Sequence, residues 1–184
     1  DPETGFYNVL DANEDGRYDN DDRVVIKNMG RKYYGGVSNQ IAYKGLSFQF
    51  LFEYVKQSNT NFLLRTAPMG INNLPKEYLS SWEQPGDVEP QKLSESIDAI
   101  YGHVNAGSSS LNVTDASFLR LKNVSLSYRF PKELYKKLGI ESGMIYINAQ
   151  NLLTITDYLG PDPQGGASVA PPLRTITCGI QVNL

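Results

Sequence analysis

Asp11, Asn13, Asp15, Asp19 and Asp22 place oxygen-bearing side chains at the first, third, fifth, ninth and twelfth positions of one short segment. Gly16 occupies the sixth position, where the chain must turn sharply, and Arg17 offers its backbone carbonyl at the seventh. A Ca²⁺ ion takes about six to eight hard oxygens, and a short loop with a glycine hinge can wrap them around it. The pattern therefore predicts a calcium loop over residues 11–22, with Asp11, Asn13, Asp15, Arg17, Asp19 and Asp22 as ligands. Two departures qualify the match. The twelfth position is Asp rather than the longer Glu, and no helical pattern precedes the loop, so a helix–loop–helix sensor is excluded. The competing reading is an Asp/Asn/Gly-rich surface turn that binds nothing.

No other residues suggest catalysis. There is one histidine, His103, and one cysteine, Cys178. Thiolate zinc clusters, internal disulfides and multi-histidine sites are therefore excluded, and no set of nucleophile, base and orienting group can be assembled. His103 is expected as a solvated loop residue and Cys178 as a small hydrophobe on a strand. A net charge of −3 and a pI near 5.2 leave no basic footprint for nucleic acid. Mean hydropathy is −0.37, and no run of about 18 apolar residues could cross a bilayer as a helix. Alternating strands average to a hydrophilic score, so a transmembrane β-barrel stays open. The chain begins Asp1-Pro2 without Met or signal peptide and reads as a piece of something longer.

The elements around the loop follow a period of two. From Thr175 to Leu184 the even positions are Ile176, Cys178, Ile180, Val182 and Leu184, and the odd ones are Thr, Gly, Gln or Asn. Such alternation is a strand with one apolar and one polar face. Leu46, Phe48, Phe50, Phe52 and Tyr54 form a second such row, and Val37, Ile41 and Tyr43 a third. Only Lys44-Gly45 separates those two strands, which predicts a tight hairpin. A fourth strand, Phe118–Phe130, changes phase between Leu121 and Val124, which predicts a bulge near Asn123. A fifth runs from Met144 to about Thr154. Pro131–Gly139 reads as one or two helical turns, and Pro75–Trp82 as a short helix.

The connections are unequal. Lys44-Gly45 and Pro131–Gly143 are short, whereas Asp11–Gly36, Gln57–Asp115 and Asp157–Pro172 are long and rich in Gly, Pro, Asn and Ser. On an up-and-down meander all the long loops fall at one end, as in outer-membrane barrels. A soluble β-sandwich also alternates. Against it, the polar faces carry Thr, Ser, Gln and Asn more than the Lys and Glu of a water-facing sheet. The successive phenylalanines, with Tyr43 and Tyr54 near the ends, also have the arrangement of an aromatic girdle. Five strands cannot close a barrel, so for a membrane sheet the rest of the wall is expected on another polypeptide or as a part removed from this one. Gln49, Glu53, Ser125, Ser127, Gln150, Gln181 and Asn183 would line the lumen or contact a plug within it. Arg120 and Lys122 read as solvated or ion-paired; Tyr78, Trp82, Tyr101 and Tyr158 read as loop-packing aromatics, the alternative being rings that stack on sugar faces or meet a partner.

The segments, in order, resemble the C-terminal end of the SusC/RagA family of TonB-dependent outer-membrane transporters. The matching residues are Asp11-x-Asn-x-Asp-Gly with Asp22-Arg23, and Tyr43-Lys-Gly-Leu-Ser-Phe-Gln-Phe. They continue with Ser117-Phe-Leu-Arg-Leu-Lys-Asn-Val-Ser-Leu-Ser-Tyr-Arg-Phe-Pro131, Asn148-Ala-Gln-Asn-Leu-Leu-Thr154, Gly160-Pro-Asp-Pro163 and Arg174-Thr-Ile-Thr-Cys-Gly. The resemblance covers nearly all of residues 1–184 and is weakest between Asn59 and Asn112. It implies an all-β fold, the last five to six antiparallel strands of a 22-stranded transmembrane barrel, with residues 57–115 as a long extracellular loop. It also implies import of glycans or peptides at the bacterial outer membrane under a SusD-type lipoprotein lid. The partners would be outer-membrane lipid, the remaining barrel and plug, and TonB through an N-terminal part absent here, with no enzyme activity. Leu184 departs from the family's usual terminal aromatic residue. The alternative function is a soluble secreted calcium-binding β-sandwich, an adhesin or glycan-binding module. A calcium-dependent docking module would need a second copy of the loop with flanking helices, and neither is present.

Overall fold

The computed structural model describes residues 1–65, 73–87, 92, 94 and 96–184. The strands are β1 (Tyr33–Tyr43), β2 (Leu46–Lys56), β3 (Ser58–Thr60), β4 (Val113–Asp115), β5 (Phe118–Arg129), β6 (Ser142–Ile155) and β7 (Thr175–Asn183). The α-helices are α1 (Phe62–Arg65), α2 (Ile97–Ala106) and α3 (Lys132–Leu138). Short 3₁₀ turns cover Asn20–Asp22, Lys76–Ser80 and Ser110–Asn112. The chain divides into two compact units.

One unit comprises residues 31–57, 116–157 and 170–184. It is a five-stranded sheet in the order β1-β2-β5-β6-β7, antiparallel throughout. All five predicted strands are present. β1 begins four residues earlier than expected, because Gly35-Gly36 hides its alternation. The β1–β2 hairpin turns on Lys44 and Gly45 at φ 44 and 85. Positive φ at both central residues is the two-residue geometry that matches the twist of paired strands. A Cβ on Gly45 would lie 2.7 Å from the Arg129 carbonyl oxygen, so no larger residue fits beside β5. At the same end, α3 starts after Pro131 and stops at Gly139, which ends it in the left-handed conformation at φ 68. The Tyr135 hydroxyl is buried and donates to the Gly143 carbonyl at 3.1 Å.

The register aligns the apolar rows across the whole sheet. Ile41 faces Phe48, Phe48 faces Leu126, Leu126 faces Ile147 and Ile147 faces Cys178. The predicted bulge is at Lys122, which has no opposite residue in either neighbouring register. Leu121 thereby stays on the apolar face with Phe52 and Leu153, despite the odd-to-even change of phase. β6 takes up its own irregularity at the same level through Asn151, at φ 53.

The apolar face is uncovered. Val37 is 64% exposed, Ile147 49% and Ile180 71%. Among the described residues the other sheet has only the two three-residue strands β3 and β4, too little to cover a five-stranded face. This argues for hydrocarbon as the solvent of that face. Tyr33 and Tyr43 mark its two ends on β1. Ten residues of rise at about 3.4 Å, tilted by about 40°, span about 26 Å, the height of an outer-membrane apolar band.

The second unit comprises residues 1–30, 58–115 and 158–169. Its buried side chains include Leu64, Tyr78, Trp82, Ala99, Ala106 and Tyr158. β3 pairs with β4, and α2 contacts α1 and the 110–112 turn. The expected short helix is the 3₁₀ turn at Lys76–Ser80. His103 corrects a sequence expectation. It lies within α2 and is buried rather than solvated in a loop, because α2 turns its smallest residues and His103 inward.

On this architecture, Phe50→Lys places a charge near the middle of the apolar face and should destabilise the barrel in lipid by about 2–4 kcal/mol. Gln49→Lys, one residue away on the polar face, should stay within about 1 kcal/mol. Denaturant unfolding in lipid vesicles measures both, and equal effects would contradict the assignment of faces.

Candidate functional site

The predicted calcium loop is a closed turn stitched by its own carboxylates. Gly16, at φ 82, donates its N–H to Asp11 Oδ2 at 2.7 Å. Asn13 Oδ1 accepts from Asp15 N–H at 3.1 Å, and Asp15 Oδ1 from Arg17 N–H at 2.8 Å. Asp19 caps the 3₁₀ turn by accepting from Asp21 N–H at 2.8 Å. Asp22 closes the loop, accepting from Ala12 N–H and Asp19 N–H, each at 2.8 Å. The two backbone hydrogen bonds, Asp19's first, hold the Asp22 carboxyl below its ordinary pKa. Asp11 Oδ1 is buried and lacks a hydrogen-bond partner.

Asp11, Asn13, Asp15, Asp19 and Asp22 thus belong to one turn, as the spacing predicts. The carboxylates are directed at backbone N–H groups. Among the described residues no three His, Cys, Asp or Glu side chains converge as a ligand set. An ionised carboxylate oxygen has lone pairs beyond the one an N–H occupies, so the donor set is chemically suited to a hard cation.

The polar face of the sheet gathers the predicted lumen residues. Gln49 lies opposite Ser125 and Ser125 opposite Asn148, with the Ser125 hydroxyl 2.7 Å from Asn148 Oδ1. Gln150, Gln181 and Asn183 follow on the same face. Toward the end that bears the long connections, Glu53 faces Arg120 and Arg120 faces Thr154. Arg120 is 3% exposed. Its Nε donates to Thr154 Oγ1 at 3.0 Å, and its guanidinium lies 4.8 Å from the Phe118 ring centre. The bulge brings Lys122 Nζ to 3.4 Å from Glu53 Oε2. Lys122 is thus ion-paired, as one of the two expected roles has it, and Arg120 is buried against a hydroxyl and a ring rather than solvated. Cys178 lies on the apolar face.

In the second unit Tyr78, Trp82 and Tyr158 pack rather than project. Trp82 lies against Gly5, donates to the Pro2 carbonyl at 3.3 Å and carries Lys92 Nζ 4.8 Å from its ring centre. The Tyr78 hydroxyl donates to Leu63 O at 2.9 Å and that of Tyr158 to Thr60 O at 3.0 Å. Burial first, then the Asp162 charge, raise the Tyr158 phenol pKa, which keeps it a donor. Tyr101 differs. With Ile97, Ile100 and Val104 it forms an exposed apolar stripe on α2, at helical spacing, while Ala99, Gly102, His103 and Ala106 are buried. Sequence reasoning missed α2, because its large residues face outward and its small ones inward. The available signal was Ser96, whose Oγ accepts from Ala99 N–H at 3.3 Å as an N-cap.

No family model matches the chain. Over 169 residues it is 29% identical to TonB-dependent receptor P3 of Formosa agariphila, covering 89% of this chain and 16% of that protein. Over 181 residues it is 24% identical to TonB-dependent receptor SusC of Bacteroides thetaiotaomicron, covering 95% of this chain and 17% of SusC. Among solved structures it aligns with the RagAB peptide importer in its open-open state at TM-score 0.74 and 27% identity. That alignment covers 100% of this chain and 21% of the importer chain. A second RagAB peptide transporter structure gives TM-score 0.70 at 29% identity over 90% of this chain and 19% of the other. The chain thus spans less than a fifth of the curated relatives named here.

The lowered Asp22 pKa has a sign. A carboxyl depressed in the folded loop stabilises it fully above the ordinary carboxylate pKa, and that contribution is lost as pH falls through the lowered value. With chelator present, exchange protection of the Ala12 and Asp19 amides should therefore persist at neutral pH and collapse only in acid. Asp22→Asn should flatten that pH dependence. Amide exchange against pH reads both.

Proposed function

This chain is a homologue of the SusC/RagA-type TonB-dependent receptors, which are outer-membrane proteins and not enzymes, and on that premise we propose that it builds part of the wall of an outer-membrane importer. The observation that carries the reading is the sheet itself. An exposed apolar face backs onto a hydrogen-bonded polar face, and every long connection leaves from one end. A strand cannot leave its edge unpaired in hydrocarbon, so the outer edges of β1 and β7 require further strands from the rest of the protein. A soluble calcium-binding sandwich would need a second sheet over the apolar rows.

The cargo class is glycans or peptides, the latter supported by the peptide importers that the fold matches. Transport is gated diffusion through a lumen closed outside by a SusD-type lipoprotein and inside by a plug, with energy arriving through TonB. In this scheme Glu53 and the polar row Gln49–Ser125–Asn148 line the passage without binding any solute tightly, while Arg120, buried against Thr154 and the Phe118 ring, is held within the wall. The α2 stripe of Ile97, Ile100, Tyr101 and Val104 suits an apolar contact with the lid.

The full-length protein should fractionate with outer membranes and copurify with a lipoprotein. A detergent-independent monomer would overturn the importer reading. Tyr101→Ala with Val104→Asp should lower recovery of the lipoprotein while leaving barrel insertion intact. Unchanged recovery would remove α2 from that contact.

Ca²⁺ in the 11–22 loop would be structural, held by Asp11, Asn13, Asp15, the Arg17 carbonyl, Asp19 and Asp22. The unpartnered Asp11 Oδ1 supports it, because a buried carboxylate oxygen costs free energy until something pairs with it. An affinity of about 0.1–1 mM is the range of extracellular calcium modules. Asp11→Ala with Asp15→Ala should abolish calcium-dependent protection of the loop from protease. Equal cleavage with calcium and with chelator in the unsubstituted protein would refute the site.

A further inference from the structure

The sheet carries a trough of about 630 Å³ on its apolar face, lined by Leu46, Leu126, Tyr128, Ile145, Ile147 and Ile180 with almost no polar surface. It lies beside the short-turn end, because Leu46 follows the Lys44-Gly45 turn directly and pairs with Tyr128. Cys178, the smallest side chain of its row, faces Ile147 there and leaves the depression unfilled.

The charge around that end is unlike the rest of the chain. Residues 44–45 and 129–142 hold five basic residues (Lys44, Arg129, Lys132, Lys136 and Lys137) against Glu133 and Glu141. The long connecting segments, residues 1–32, 57–117 and 156–174, hold 17 acidic residues against nine basic. A protein of net charge −3 has therefore gathered a net excess of three positive charges at its short-turn end. Lys44, Arg129, Lys132 and Lys137 are exposed there. Lys44 and Arg129 are neighbours, since the Arg129 N–H donates to the Gly45 carbonyl at 2.8 Å. Lys44 sits two positions before the trough-lining Leu46, whereas Arg129, opposite Met144 and so in the row of Gln181, belongs to the polar face at the same end. Lys44 Nζ lies 5.2 Å from the Tyr43 ring centre, an amphipathic pair suited to a headgroup boundary.

We propose that this trough and its basic rim form a binding site for an anionic glycerophospholipid of the leaflet at the short-turn side. One acyl chain occupies the trough, and the headgroup phosphate lies against Lys44, with Arg129 and Lys132 of α3 at the same end adding to the field. The proposal rests on the outer-membrane reading, which supplies the bilayer. Charge complementarity selects the occupant. A hydrocarbon-lined groove accepts any acyl chain, but a rim with an excess of cations distinguishes a net negative headgroup from a zwitterionic one.

The test uses the full-length protein, extracted in mild detergent, stripped of lipid and titrated with phosphatidylglycerol or phosphatidylcholine under native mass spectrometry. Phosphatidylglycerol should bind in preference to phosphatidylcholine. Lys44→Gln should weaken phosphatidylglycerol binding about fivefold, the factor equivalent to about 1 kcal/mol per basic side chain at an anionic surface, and Arg129→Gln, on the polar face, should weaken it less. Cys178→Leu should weaken both lipids alike by filling the trough. Heat-modifiable migration on gels confirms that each variant is a folded barrel. Equal binding of the two lipids, or retention unchanged in all three folded variants, would overturn the lipid site and leave the importer reading intact. Failure of the unsubstituted protein to partition into membranes would overturn both.

Discussion

In hydrocarbon a backbone N–H or C=O has no water to fall back on, and the sheet is organised around that constraint. β1, β2, β5, β6 and β7 satisfy one another sideways, strand by strand, in an antiparallel ladder. Once the ladder exists, alternation is compulsory, since successive side chains point to opposite faces. One face then collects Phe48, Leu126 and Ile147, and the other Gln49, Ser125 and Asn148. The polar face needs hydrogen bonds of its own, and the Ser125–Asn148 and Arg120–Thr154 contacts supply them.

The bulge at Lys122 shows how little tolerance this arrangement has. Without one extra residue in β5, Leu119 and Leu121 would join the polar face and Arg120 the apolar one. With it, Leu121 stays among apolar neighbours, and Lys122 adds a second cation to the polar face beside Glu53. Burial of Arg120 is tolerable because its guanidinium has Thr154, the Phe118 ring and a carboxylate opposite in register to answer it.

The two ends of the strands obey different rules. At the short-turn end, geometry is set by backbone conformation: Lys44 and Gly45 at positive φ, and Gly139 closing α3. The long connections use side chains to shape backbone instead. Asp11, Asp19 and Asp22 accept backbone N–H groups in one loop, and Asp162 accepts from Gln164 and Gly165 in another. Acidic residues suit that task because an ionised carboxylate accepts several strong hydrogen bonds at once. The 17 acidic residues of those segments are thus partly architectural.

What was legible in the sequence was whatever repeats locally. The period of two determined the five strands and their faces, the phase change in β5 located the bulge within a residue, and Lys44-Gly45 specified its turn. The spacing of Asp11 to Asp22 likewise determined that those residues share one turn, because backbone conformation over twelve residues is a local matter. The tertiary structure alone decided what depends on partners distant in sequence. Residues 58–60 pair with 113–115 across the long central segment, and so short a strand has no periodicity of its own. α2 stayed hidden because its amphipathicity is inverted and depends on what packs against Ala99 and Ala106. His103 was misplaced for the same reason. Burial is a property of surroundings, and a sequence shows a residue's neighbours along the chain but not those that cover it.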